Sequence, residues 1–313
     1  MKRLLYIGKL KIKYPYFTSP LAGLTDLPFR KLIDSIGYVG ALFTEMISTE
    51  GLIRQNTQTL KMLESFTSPT PKFVQLFGNN PESFAKSVKY INDNTSFDGI
   101  DLNAGCPVKK IVNKGAGSFL LEDTENLKKI VKSIRKNTEK TFTVKIRLGF
   151  KKVNISETIK IIDGEGADGI IVHFRTKKDG YSVPAKWEFS KKIKELTNLP
   201  VIGNGDIFNI KTAKERLKKV DGIMLGRGIV INPSFFKELE TGEREKDYII
   251  LERFIRLIEN FYPEEKLLPR LKAFLRYFSK GKGISKKRKK ELFLSKDYEF
   301  VRNESLQIFS ELD

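Results

Sequence analysis

Cysteine is almost absent from this 313-residue chain: Cys106 is the only one, and His173 is the only histidine. A single thiol excludes an intramolecular disulfide framework and points to a reducing cytoplasm; it also excludes cysteine-based metal clusters. One histidine leaves any histidine-paired nucleophile or metal site dependent on that residue alone, so no metal is expected. Long apolar runs are missing as well. No window reaches the roughly 18 apolar residues of a membrane helix, and glycine and lysine interrupt the opening Met1-Lys2-Arg3-Leu4-Leu5-Tyr6-Ile7-Gly8 before it forms a signal peptide's apolar core. The expectation is a soluble protein with no membrane association. Acidic residues are few: 38 Asp and Glu stand against 57 Lys and Arg, a formal charge of +19 at pH 7. Such a surplus points to a polyanionic partner, nucleic acid first, with a lysine-rich proteome as the competing explanation. The charge concentrates in Lys280-Gly281-Lys282-Gly283-Ile284-Ser285-Lys286-Lys287-Arg288-Lys289-Lys290. There the glycine-spaced lysines suggest a flexible, phosphate-seeking loop.

What is present is a repeating pattern. The apolar fraction of 40% supports a core of ordinary size. Short β-branched or aromatic runs alternate with amphipathic segments and predict eight strands, beginning at Tyr16, Ala41, Lys72, Gly99, Thr143, Gly169, Pro200 and Gly222. Asn80-Pro81-Glu82 and Asp123-Thr124-Glu125 read as helix starts. Eight βα units of nearly continuous apolar strands fit a closed (β/α)8 TIM barrel better than an open sheet, and no Gly-x-Gly-x-x-Gly follows the first strand. After the charged stretch Thr241-Gly242-Glu243-Arg244-Glu245-Lys246 the strands stop. Helical spacing then predicts helices over 247–262, after Pro263 and over 295–312. The chain therefore divides into a barrel, 1–242, and a small basic helical domain, 243–313.

Residues with chemical potential gather at the strand ends, where α/β barrels place their active sites. Cys106 lies in Asn103-Ala104-Gly105-Cys106-Pro107 after the fourth strand. A lone cysteine is usually a buried hydrophobe, but flanking glycine and proline favour a presented side chain. Gly203-Asn204-Gly205-Asp206 and Gly226-Arg227-Gly228 follow strands seven and eight, where barrels commonly bind phosphate. Lys145 and Arg147 share one strand face, which requires either an anionic ligand or a buried salt-bridge network. His173 and Arg175 repeat that spacing. Gln75 can donate and accept to a heterocycle or bond within the barrel. Ser19-Pro20-Leu21-Ala22-Gly23 suits a flat ring close to backbone, and a simple turn explains it almost as well.

Taken in order, these segments resemble the tRNA-dihydrouridine synthases, specifically their bacterial B-type branch. The resemblance rests on Ser19-Pro20-Leu21-Ala22-Gly23-Leu24-Thr25-Asp26-Leu27-Pro28-Phe29-Arg30, Gln75-Leu76-Phe77-Gly78, Asn103-Ala104-Gly105-Cys106-Pro107, Lys145-Ile146-Arg147, His173-Phe174-Arg175-Thr176, Asn204-Gly205-Asp206-Ile207 and Gly226-Arg227-Gly228. It implies a cytoplasmic flavoenzyme whose partners are tRNA and NADPH or NADH, with no obligate protein partner. FMN would be surrounded by Pro20, Leu21, Ala22, Gln75, Lys145, His173, Asn204, Gly205, Asp206, Gly226 and Arg227. Hydride would pass from NADPH through FMN to C6 of a uridine, Cys106 would protonate C5, Asn103 would hold the uracil edge, and Arg147 would neutralise charge on its carbonyl. Four departures from the family pattern, Leu21, Ala104, Phe174 and Val183, are expected to reshape the pocket rim. Two alternatives remain at this point: a flavin dehydrogenase of a free pyrimidine, like dihydroorotate dehydrogenase, and a non-catalytic RNA chaperone.

Overall fold

The computed structural model describes residues 4–313. Its strands are β1 (Leu5–Ile7), β2 (Leu10–Ile12), β3 (Tyr16–Thr18), β4 (Leu42–Ser48), β5 (Lys72–Phe77), β6 (Gly99–Ala104), β7 (Thr141–Gly149), β8 (Gly169–Thr176), β9 (Val201–Asn204) and β10 (Gly222–Leu225). Strands β3 to β10 form one parallel sheet in the order β3-β10-β9-β8-β7-β6-β5-β4. A parallel bridge from Phe17 to Ala41, supported by the Gly40 N–H donating to the Tyr16 carbonyl at 2.7 Å, closes it into a (β/α)8 barrel. The eight predicted strands are these eight. Antiparallel β1 and β2 are an addition the pattern did not announce.

Alternation along the strands divides the core in two. Val74, Leu76, Ile100, Leu102, Val144, Ile146, Ile170 and Val172 face outward and pack under helices such as Pro81–Asn94 and Thr124–Lys136. Asn80 and Asp123 cap those helices, accepting from backbone N–H groups of the first turn. Inside the barrel, Phe17, Phe43, Phe73, Ile171, Ile202 and Met224 form a second apolar cluster, and Ile7 and Ile12 of the β1–β2 hairpin complete it. The lower half of the barrel is thereby filled with carbon. The polar inward positions lie toward the C-terminal strand ends.

Four helices follow the barrel: Asp247–Glu259, Glu264–Phe278, Lys286–Leu294 and Tyr298–Leu312. An aromatic series packs them, with ring centroids 4.1 Å apart for Phe254 and Phe274 and 4.8 Å for Phe278 and Phe309. Phe274 also meets Phe29 of the barrel helix Leu27–Ile36 at 6.4 Å. Beside it the buried Arg270 guanidinium grips Asp26 through two nitrogens, one at 2.9 Å, and Tyr262 donates to the same carboxylate at 2.8 Å.

The basic stretch 280–290 is a loop as far as Ser285 and a helix from Lys286, where the sequence alone predicts none. Ser285 caps the helix Lys286–Leu294 by accepting from the Arg288 N–H. Lys282 lies 3.6 Å from the Phe278 ring centroid and 2.6 Å from an Asp247 oxygen, and Arg288 pairs with Glu304 and Glu311. Its acidic partners belong to other helices, so local composition did not reveal them. Among the described residues no helix is long and apolar enough to cross a membrane.

Candidate active site

A cavity of about 300 Å³ opens at the C-terminal ends of the barrel strands. The turn after β6 places Cys106 on its wall. Asn103 builds that turn: its Oδ1 accepts from the N–H groups of Gly105 at 3.1 Å and Cys106 at 2.9 Å. The Asn103 Nδ2 in turn donates to Gln75 Oε1 at 2.8 Å, and Gln75 Nε2 donates to Asp101 at 2.6 Å. Thr143 gives the other Asp101 oxygen a 2.6 Å bond. A chain of hydrogen bonds across β5, β6 and β7 thus fixes the backbone of the thiol, and such a satisfied buried network holds a single geometry. Burial pushes the Cys106 thiol up from its ordinary value, against the Val108 N–H, Arg147 and Lys145, which act to lower it. At neutral pH the group is the protonated thiol.

Cations face the same space. Lys145 donates to Asn204 Oδ1 at 3.4 Å, and Asn204 is held by donating to the Met224 carbonyl at 2.7 Å. Arg147 is bound by two carbonyls, those of Gly105 at 2.7 Å and Thr176 at 3.1 Å. Among the described residues neither cation has a carboxylate within 4.0 Å, so the salt-bridge explanation for the pair fails. Burial, then Arg147, brings Lys145 down to about 8, and burial pushes Asp101 up to about 7. His173 falls well below 6.5 because it is buried and surrounded by Arg147, Lys145, Arg175 and Arg227, and its ring is neutral.

The opposite rim is organised by Asp206, which sits at φ 52° and binds Arg175 at 2.6 Å and the Ala185 N–H at 2.8 Å. Gly205 beside it has φ +127°, and a Cβ there would come within 2.9 Å of Ala185, so this turn admits no side chain. Arg227 lies over the Tyr181 ring at 4.3 Å and the Phe208 ring at 5.3 Å.

Of the residues singled out in the sequence, Pro20, Leu21, Ala22, Asn103, Cys106, Lys145, Arg147, His173, Asn204, Gly205, Asp206, Gly226 and Arg227 line this one cavity. Gln75 does not. It is fully buried one layer below, spending its amide on Asn103 and Asp101. Three of the four departures also lie off the wall: Ala104 and Phe174 face the outer core, Phe174 4.3 Å from Trp187, and Val183 offers its carbonyl to Arg175. Asp101, Met46 and Tyr181 were not singled out as site residues. Asp101 carried a signal, its two-residue spacing from Asn103 on the inward face, whereas Met46 carried none.

The family model described as dihydrouridine synthase matches residues 17–311. A probable tRNA-dihydrouridine synthase of Rickettsia bellii is 34% identical over 88% of this chain and 88% of its own. The tRNA-dihydrouridine synthase B of Pasteurella multocida is 34% identical over 83% of this chain and 82% of its own. Among solved structures, a variant of NCR from Zymomonas mobilis shares the fold with a TM-score of 0.57 at 15% identity, covering 88% of this chain and 98% of that one. With the family's model matched from the first barrel strand to the last helix, the chain belongs to the dihydrouridine synthases.

Proposed function

We propose that this protein reduces the C5–C6 double bond of uridines in tRNA, using FMN and NADPH or NADH, in the cytoplasm. The observation that carries this reading is the Cys106 thiol, held by the Asn103 turn in one cavity with Lys145 and Arg147. Arg147, buried, and Lys145, half-buried, have no carboxylate within ion-pair distance among the described residues and feel Asp101 only at longer range, an arrangement that an anionic cofactor would complete. Pro20, Leu21 and Ala22 would lie along a flavin ring, with Lys145, His173 and Asn204 near its polar edge. The backbone at Gly205 and Gly226 and the Arg227 guanidinium would hold its phosphate, with Asp206 beside them, its carboxylate engaged by Arg175 and the Ala185 N–H. Bound FMN would supply hydride to C6 of the uracil.

The remaining chemistry belongs to the chain. Cys106 transfers its proton to C5 and recovers it from solvent; a general acid needs the protonated form that burial preserves. Arg147 stabilises negative charge on the uracil carbonyl. Asn103 acts through the Cys106 turn, and Gln75 acts through Asn103 rather than by touching the cofactor. A uridine in folded tRNA reaches the cavity only when turned out of its stack. The helical part 243–313 would provide the phosphate contacts that hold the RNA. Purified protein incubated with tRNA transcript and NADPH is expected to raise the mass of the modified uridine by about 2 Da. A flavin-loaded preparation that leaves every uridine unchanged would refute the reading.

A further inference from the structure

A second cavity, of about 250 Å³, lies on the same face of the barrel. The loop after β3 is the wall between the two: Leu21 and Ala22 line the first, Thr25 and Asp26 the second. A register shift in β4 between Phe43 and Met46 divides two consecutive residues in the same way, Glu45 lining the second cavity and Met46 the first. The far side is built by the helical part of the chain through Phe261, Tyr262 and Lys266. Neither the hydrogen-bond chain behind Cys106 nor the proposed cofactor uses this space.

Its lining combines three kinds of group. Phe261 and Tyr262 offer aromatic surface, with centroids 4.7 Å apart. Glu45 binds the Gly23 N–H through Oε1 and, with Gln58, supplies polar edges. Lys61 stands 4.6 Å from the Phe261 ring centroid, a cation at the rim. Beneath them Arg30 is 1% exposed, and its Nε and one terminal nitrogen have no partner among the described residues; only the other donates, to the Glu64 carbonyl at 2.9 Å. Burying a guanidinium in that state is costly. Asp26 and Glu45 favour its charge from a distance, but the Asp26 oxygens hydrogen-bond Arg270 and Tyr262 rather than Arg30.

Aromatic faces for stacking, a carboxylate and an amide for a base edge, and cations for phosphate form the donor set by which proteins bind unstacked single-stranded RNA. Resting on the reading of the first cavity as the uridine site, we propose that this second cavity holds another nucleotide of the same RNA strand, close to the target uridine and likewise turned out of its stack. Its base meets Phe261, Tyr262 and the Glu45 edge, and its phosphate meets Lys61 and Lys266. Occupation of both cavities across one loop would fix which uridine reaches Cys106.

A double-mutant cycle on binding tests this. Abasic nucleotides are introduced one at a time on either side of the target uridine, and tRNA affinity is measured for wild type, Phe261→Ala and Lys61→Ala. One abasic position is expected to weaken wild-type binding about ten-fold while leaving Phe261→Ala no weaker than it already is on intact tRNA. Lys61→Ala, a change at a half-buried rim residue that does not threaten folding, is expected to lose affinity with the same coupling. Equal losses for wild type and both variants at every position, or no effect of any flanking base, would overturn the proposal. Dihydrouridine formation is followed in parallel on intact tRNA, so absence of turnover with a coupled binding cycle strikes the reaction and not the second site.

Discussion

The role proposed for Cys106 rests on its neighbours rather than on its own type. Asn103 holds its backbone, and burial keeps its proton in place. Replacement by alanine is therefore expected to leave flavin content unchanged and to slow dihydrouridine formation by about 100-fold or more, the usual contribution of a positioned acid. Equal turnover would exclude the acid role. The pH profile carries the same claim with a definite sign. Because the thiol lies above its ordinary value of 9.0, the active protonated form persists through neutral pH and turnover declines only in a limb above that value. A limb near pH 7 that disappears in Cys106→Ser would contradict it. Lys145→Met is expected to lower flavin retention at least ten-fold, read by absorbance after dialysis, since it removes a cation that faces the cavity with no carboxylate among the described residues in ion-pair contact.

Among the elements, the strands were legible because each is a run of β-branched and aromatic residues, and alternation alone put Lys145, Arg147 and His173 on the inward face. The pairing of Gln75 with Asn103 and Asp101 was not legible, because it joins neighbouring strands through register, which local spacing does not encode. The helix Lys286–Leu294 was missed for a similar reason: Glu304 and Glu311, which neutralise Arg288, come from the last helix. Arg270 shows the same hidden pairing. It looked like one more cation on a basic helix, yet it fastens that helix to Asp26 at the start of Leu27–Ile36. Arg270→Met leaves the Asp26 carboxylate buried without its partner and is expected to cost about 3 kcal/mol, measured by urea unfolding. A loss below about 1 kcal/mol would show that the pair does not fasten the two parts.

For the whole molecule, the surplus of positive charge is divided between structure and recognition. Arg270, Lys282 and Arg288 are consumed internally, whereas Lys286, Lys287, Lys289 and Lys290 have no ion pair among the described residues. If each of these four meets one phosphate, replacing all four by alanine lowers the slope of log affinity against log salt by roughly 3. An unchanged slope would move the RNA contacts elsewhere. In the proposed division the barrel carries the chemistry and the helices the RNA contacts; the first cavity is lined by barrel residues alone, and the second reaches the helices through Phe261, Tyr262 and Lys266. Dihydrouridine mapping in tRNA from cells with and without this gene tests that union most directly. The deletion is expected to lose dihydrouridine at defined positions, restored by the wild-type gene and not by Cys106→Ala; unchanged modification in the deletion, or full restoration by Cys106→Ala, would contradict the account.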